Sequence, residues 1–132
     1  SHTLQKPFTQ SVLMATPPEQ SLSRGLFARD PLPAWTQGRV TLLGDAAHPA
    51  APFLDRATDL ALEDALVLAR AIATAGTTPE ALQRYAAARI PRASASMVAA
   101  EEQGVRLTTL NPDTYVAGAT DDSDYDPVTV SV

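Results

Sequence analysis

A carboxylate stands directly after a short apolar run in the stretch "GRVTLLGDAAH", residues 38–48. Gly44 allows the backbone to turn tightly, and Asp45 then presents its side chain where a strand would give way to a loop. A carboxylate in that place can accept two hydrogen bonds from sugar-like hydroxyl groups, as acidic residues do for the ribose of dinucleotides. The pattern therefore indicates a site for a polyhydroxylated ligand. On spacing alone the alternative stays open that Asp45 caps the turn and His48 bonds nearby backbone.

The segment "PAAPFLDRATD", residues 49–59, joins this turn to an apolar helix. The free amides and the positive dipole end of a helix N-terminus favour an anion or a carbonyl oxygen, so a ligand could also contact the chain there. Glu63 and Asp64 follow in the first turns of the helix, where carboxylates interact favourably with the helix dipole. We interpret these two residues as dipole partners rather than as catalytic acids.

No other group of residues predicts chemistry. His2 and His48 lack supporting carboxylates at metal-ligand spacing, and the aspartates do not follow the "DxDxDG" pattern of a calcium loop. The serines have no partnered histidine in any hydrolase pattern. The sequence therefore predicts no metal site and no catalytic side chain.

Three elements must position the turn. The run "RVTLLG", Arg39–Gly44, is short, apolar and β-branched, which predicts a fully buried strand of a parallel sheet. Asp59–Ala75 is apolar almost all round and predicts a buried helix. A capping box of Thr77 and Glu80 starts a further helix over 79–107, in which an internal proline at position 91 should cause a kink or the loss of a hydrogen bond.

The N-terminal part of the chain predicts only short elements. Helical spacing of apolar residues predicts a helix over Phe8–Ala15, and Thr16 with Glu19 forms a capping box for a helical turn over Pro17–Leu22. Leu26–Ala28 could form a strand that ends before the next proline.

Length and charge limit the class of protein. A chain of 132 residues is one domain at most, and without cysteine it has neither disulfide nor thiolate chemistry. Residues 1–110 hold ten acids and ten bases, whereas residues 111–132 hold five aspartates and no base. No basic stripe suggests nucleic acid, and no apolar run is long enough for a membrane span. We expect a cytoplasmic protein with one domain over 1–110 and a flexible acidic tail over 111–132, with a strand at Val128–Val132.

The chain resembles a known family in the stretches "RDPLPAWTQGRVTLLGDAAHPAAPF", "LEDALVLARAI" and "ALQRYAAARIPRASASM". They are similar to the C-terminal third of the single-component flavoprotein monooxygenases, the FAD-dependent aromatic hydroxylases and epoxidases of the para-hydroxybenzoate and salicylate hydroxylase type. The resemblance covers roughly residues 8–110. It implies a mostly helical α/β fragment from the C-terminal part of an FAD/NAD(P)-binding fold, with one or two short strands, a buried helix and a long kinked helix.

The resemblance also implies roles for particular residues. The aspartate that matches Asp45 binds the ribityl part of FAD, and the proline that matches Pro52 lies at the edge of the flavin. A "GQG" segment, here Asp55, Arg56 and Ala57, lays its backbone against the isoalloxazine ring. With Gly44, these residues are the candidate cofactor contacts.

Two departures from the family limit what the chain should do alone. The "GxGxxG" phosphate loop and the middle "DG" segment are absent, and the glycines of "GQG" are replaced, which removes close backbone approach and positive φ. We therefore expect no FAD binding by this chain alone, although the family implies FAD, with NAD(P)H as reductant and a small-molecule substrate. The expected partner is an N-terminal flavoprotein chain or a second copy. The alternative is a non-catalytic accessory or binding module that has lost FAD binding.

Overall fold

The structure is a computed structural model that describes residues 5–22, 25–54, 56–109 and 125–132. It is mostly helical. Three α-helices and two short strands are joined by loops that include two short 3-10 turns, at Pro18–Gln20 and Gly44–Ala46. In chain order the elements are α1 (Gln5–Ala15), β1 (Thr36–Gln37), β2 (Val40–Thr41), α2 (Ala57–Ala75) and α3 (Pro79–Thr109).

The pair α2 and α3 forms the body of the molecule. Gly76 ends α2 with φ of 69°, a left-handed conformation that glycine adopts without steric cost. The hydroxyl of Thr78 accepts a hydrogen bond from the amide of Ala81 at 3.3 Å, so Thr78 caps α3. The predicted cap, Thr77, was therefore wrong by one residue. Because the loop is so short, the two helices pack side by side as an antiparallel pair.

The core lies where this pair meets the segment before α2. Trp35 packs with its ring 5.9 Å from that of Tyr85 and 5.5 Å from that of His48. Small residues fill the rest of the contact, which lets the helices approach closely. The buried hydrophobic residues of this cluster are Trp35, Ala47, Val67, Ala71, Ala81, Tyr85, Ala86 and Ala93.

The predicted buried parallel strand over Arg39–Gly44 was wrong. β1 and β2 form a two-residue antiparallel hairpin in which Thr36 pairs with Thr41, and Val40 is 68% exposed. Gly38, with φ of 58°, reverses the chain between the strands, whereas a parallel pair would need a long crossover connection. The Thr36 hydroxyl lies 2.9 Å from that of Thr41 and donates to the Leu82 carbonyl at 3.1 Å, which ties the hairpin to α3.

The predicted helices are confirmed in position, with different details at their ends. The hydroxyl of Thr16 donates to the Val12 carbonyl at 3.0 Å and does not cap the following turn. α3 continues through Pro91, which lies on its exposed side and costs the helix one hydrogen bond. No strand forms over Leu26–Ala28, where the chain is irregular.

The C-terminal residues 125–132 pack against the helices, in contrast to the flexible tail expected there. They form a turn and no strand, because the Asp126 carboxylate accepts hydrogen bonds from the Val128 amide at 2.8 Å and the Thr129 hydroxyl at 3.0 Å. Val130 and Val132 lie against the core cluster. The boundary predicted at residue 110 and residues 111–124 lie outside the described residues.

Candidate cofactor-binding site

Gly44 forms the corner that the sequence singled out. Its φ is 59°, its amide donates to Asp64 Oδ2 at 2.9 Å, and its carbonyl accepts from the amides of Ala47 and His48 at 2.8 and 2.9 Å. A Cβ at this position would lie 3.6 Å from that of Ala61, which is an ordinary contact. The backbone conformation, rather than space, therefore requires glycine here.

Asp45 points its carboxylate outward from this corner. The residue is exposed, and the carboxylate makes no hydrogen bond within the part of the chain that the structure describes. The turn over Gly44–Ala46 begins at Leu43 and has no side-chain cap. The alternative in which Asp45 caps the turn is therefore wrong, and two acceptor oxygens remain available to a ligand.

Arg29 fixes the far side of the same turn, which the sequence reading missed. Its Nη2 donates to the carbonyls of Ala46 and Ala47, both at 2.9 Å. An arginine followed by a proline-rich loop gave no periodic signal, and only the folded loop brings the guanidinium to these carbonyls.

Asp64 holds the corner from inside. Its side chain is fully buried and accepts hydrogen bonds from the Gly44 amide at 2.9 Å and from Arg89 Nε at 2.7 Å, and it lies 2.6 Å from His48 Nε2. Burial alone would raise the pKa of this carboxyl group. The hydrogen bonds from His48, Arg89 and Gly44 outweigh burial and lower the pKa below its usual value.

His48 belongs to this buried cluster. Its side chain forms a hydrogen bond with Asp64, and its ring packs against Trp35. The alternative prediction, that His48 bonds nearby backbone, was therefore wrong. The Nδ1 atom is buried without a hydrogen-bond partner among the described residues. The ring thus joins the apolar core to the corner.

Arg89 of α3 completes the cluster. Its guanidinium donates to Asp64 and, through Nη2, to the Leu60 carbonyl at 3.2 Å, while Nη1 lies 2.7 Å from Glu63 Oε2 in an ion pair without hydrogen-bond alignment. Although burial lowers the pKa of Arg89, its bonds to Asp64 and Tyr125 raise it above the usual value, so the group stays charged. The interpretation of Glu63 and Asp64 as dipole partners was wrong, because both face the arginine beyond the first turn of α2.

The loop before α2 places the other candidate contacts. Pro52 is exposed in a turn, and Arg56 precedes α2 with φ of −108° and ψ of −1°. Ala57 is the first residue of the helix, so the positive φ expected of a glycine does not arise at Arg56 or Ala57. Asp55 lies outside the described residues. The corner and the start of α2 are thus adjacent, with Gly44 facing Ala61.

Two further properties concern the described residues alone. Among them, no three histidine, aspartate or glutamate side chains are grouped so that they could hold a metal ion. No helix in these ranges has the length and apolar character needed to cross a membrane.

The comparisons with known proteins identify the class. A family model described as "FAD binding domain" matches residues 20–100, which include the corner, α2 and most of the described part of α3. The chain belongs to this family of flavoprotein domains.

Individual relatives are monooxygenases of small molecules. The chain is 36% identical over 109 residues to 6-hydroxynicotinate 3-monooxygenase of Bordetella bronchiseptica. This match covers 81% of this chain and 28% of the relative. It is 47% identical over 75 residues to 3-amino-4-hydroxybenzoate 2-monooxygenase PtmB3 of Streptomyces platensis, covering 56% and 19%. Aurachin C monooxygenase/isomerase of Stigmatella aurantiaca is 43% identical over 79 residues, covering 60% and 21%.

A solved structure is similar in fold. The crystal structure of FqzB superposes with a TM-score of 0.69 and 36% identity over 75% of this chain and 24% of that chain. The matches with these relatives and with FqzB thus span between 19% and 28% of the partners' own length.

Proposed function

We propose that the chain is the C-terminal part of an FAD-dependent monooxygenase and supplies the corner that holds the ribityl chain of the flavin. The observation that carries this proposal is the exposed Asp45 carboxylate on a rigid turn. The Gly44 amide is bonded to buried Asp64 on one side, and Arg29 holds two carbonyls on the other. A carboxylate held this way is preorganised to accept hydrogen bonds from the hydroxyl groups of a sugar alcohol.

The residues of this corner bind and orient rather than react. When bound, FAD reduced by NAD(P)H would supply the transfer of one oxygen atom to an aromatic or polyketide-like substrate. Asp45 would accept hydrogen bonds from the ribityl hydroxyls, while Asp64 and Arg29 keep the turn in one conformation. Pro52, Arg56 and Ala57 are the further flavin contacts that the resemblance to the family implies.

The outer face of α2 supports the proposal that further protein covers the exposed side of this helix. We define this outer face as the exposed residues Leu62, Ala65, Leu66, Ala69 and Ala73. Asp59 is exposed one turn before this face, and the other charged residues of the helix, Glu63, Asp64 and Arg70, bond toward the inside or to the C-terminal residues. A helix that is apolar on its outer side is typical of one enclosed by a larger protein. We propose that the N-terminal portion of a flavoprotein monooxygenase packs there, either in one polypeptide or as a separate chain.

The second candidate is an accessory module that has lost FAD binding. It is favoured by the "DRA" segment at 55–57, because Asp55 and Ala57 stand at the two positions where the family lays glycine backbone on the flavin. The two functions differ in whether flavin binds once the rest of the fold is present.

A chimera distinguishes them. The matching C-terminal part of the Bordetella 6-hydroxynicotinate 3-monooxygenase is replaced by this chain, and FAD affinity is measured by quenching of flavin fluorescence. We expect binding that Asp45→Ala weakens about 10- to 100-fold, since a hydrogen bond to a charged group contributes about 1.5–3 kcal/mol. Glu19→Ala, which removes an exposed carboxylate in the Pro18–Gln20 turn, is the control. Flavin affinity that is the same with and without the Asp45 carboxylate would rule out this role.

A further inference from the structure

The C-terminal residues 125–132, which we call the C-terminal strap, hold α2 and α3 together. The ring of Tyr125 lies against two guanidinium groups, with centroid distances of 5.1 Å to Arg89 and 4.9 Å to Arg92. Its hydroxyl accepts a hydrogen bond from Arg89 Nη1 at 2.5 Å. The Pro127 carbonyl accepts from Arg70 Nη1 of α2 at 2.8 Å. The strap lies outside the residues 20–100 matched by the family model, so the family assignment gives it no role.

The strap reaches the cofactor corner through two buried side chains. Arg89 Nη1 donates to the Tyr125 hydroxyl, and Nε of the same guanidinium donates to Asp64 Oδ1 at 2.7 Å. The other oxygen of Asp64 accepts from the Gly44 amide at 2.9 Å. Both Arg89 and Asp64 are fully buried, so no water competes for these bonds and their directions depend on one another.

The geometry of Arg89 makes it sensitive to the Tyr125 hydroxyl. Among the described residues, Nη1 has a hydrogen bond to the hydroxyl at 2.5 Å and an ion pair with Glu63 Oε2 at 2.7 Å, in which Oε2 meets no hydrogen-bond geometry. Without the hydroxyl, the planar guanidinium would turn toward Glu63. Because the guanidinium is rigid, this rotation also moves Nε and with it the carboxylate of Asp64.

We propose that Tyr125 is a positioning residue for the cofactor corner. Its hydroxyl sets the orientation of Arg89, and through Asp64 the conformation of the Gly44 turn that presents Asp45. The functional meaning of this control rests on the proposed flavin role of the corner. The chain of hydrogen bonds itself exists without cofactor and is tested without it.

The test is Tyr125→Phe in the full chain, which removes the hydroxyl and leaves the ring against both arginines. Amide resonances and hydrogen-exchange rates are measured by NMR on the flavin-free protein. We expect the Gly44 amide resonance to move and its exchange to become about three- to tenfold faster, the loss typical of one weakened hydrogen bond. Ser131→Ala is the matched control, because it removes an exposed hydroxyl of the same strap and should leave Gly44 unchanged.

A second variant tests the path. Arg89→Lys keeps the positive charge but cannot bond both Asp64 and Tyr125, so adding Tyr125→Phe to it should change Gly44 no further. If Tyr125→Phe alters only the strap and its contacts on α3 while Gly44 keeps its resonance and exchange rate, the strap is a clamp for the helices and the proposal is wrong. Should Arg89→Lys fail to fold, the single Tyr125→Phe result decides. Either result is independent of flavin affinity, which the Asp45 experiment measures.

Discussion

The two sides of α2 differ in an unusual way, because the inner side holds charged groups among the buried apolar residues Leu60, Val67 and Ala71 and the exposed side is apolar. Its inner side carries Glu63 and Asp64 in contact with Arg89, whereas the outer face is apolar from Leu62 to Ala73. Burying charge contributes little to stability by itself, because the desolvation of each ion offsets the attraction. The inner cluster is therefore better explained by the fixed geometry it gives the corner. The apolar outer face supports the proposal that other protein covers it.

Removing the Arg89 cation, which contacts the inner side of α2, should produce the largest loss of stability. Arg89→Met keeps much of the side-chain volume but leaves Asp64 buried without its arginine. We expect a loss of about 3–5 kcal/mol in the free energy of unfolding, or failure to fold, as measured by urea denaturation.

Arg84 provides the matched control on the same helix. It pairs with Glu80 at 2.6 Å at an exposed i,i+4 position. Arg84→Met should cost no more than about 0.5 kcal/mol. Equal losses for the two variants would mean that the inner cluster contributes no more to the free energy of unfolding than an exposed ion pair does.

Lowering the pH should produce the next largest loss of stability, through the Asp64 carboxyl group on the inner side of α2. The pKa of Asp64 is lowered in the folded protein, because the hydrogen bonds outweigh burial. This carboxyl group therefore contributes stability that is fully present above its unfolded pKa of about 3.9 and is lost as the pH falls through the lower folded value. We expect the thermal midpoint to fall as the pH is lowered below about 4.

The variant Asp64→Asn separates this carboxyl group from the others. It should be less stable than the natural chain at pH 7, because Arg89 loses its charged partner, but its midpoint should fall less steeply in acid. Asp45→Asn, which changes an exposed carboxylate, should retain the full acid dependence. An unchanged acid slope in Asp64→Asn would assign the acid sensitivity to other groups.

The comparison also explains what the sequence could and could not predict. The periodicity of apolar residues located α2 and α3, and Gly44 with Asp45 marked the corner, because these signals are local. The inward direction of Glu63 and Asp64 was missed, since it depends on Arg89 more than twenty residues away. A helix that is apolar almost all round gives no sequence signal for which side faces inward.

The prediction of a buried parallel strand over Arg39–Gly44 was wrong for a related reason. An apolar run bounded by glycines fits a buried strand only where neighbouring strands exist, and the described residues supply a two-residue hairpin instead. The strap at 125–132 was missed because its anchor is one tyrosine in an acidic segment. Its composition indicated solvation, while the three arginines that bind it lie on α2 and α3.

The outer face should give the smallest change in stability and a clear change in association. Leu62 and Leu66 lie one turn apart and are 66% and 39% exposed, so Leu62→Gln with Leu66→Gln removes apolar surface without opening the core. The free energy of unfolding should change by no more than about 0.5 kcal/mol per site.

We expect the natural chain to self-associate at high concentration in sedimentation experiments, because the uncovered outer face has no other partner there. The double variant should shift toward monomer. Val128→Gln, another exposed apolar residue but on the strap, serves as the control and should leave association unchanged. If the natural chain stays monomeric at high concentration, and the chimera with the Bordetella enzyme tolerates both glutamines without loss of stability, the outer face is not the surface that the rest of the enzyme covers.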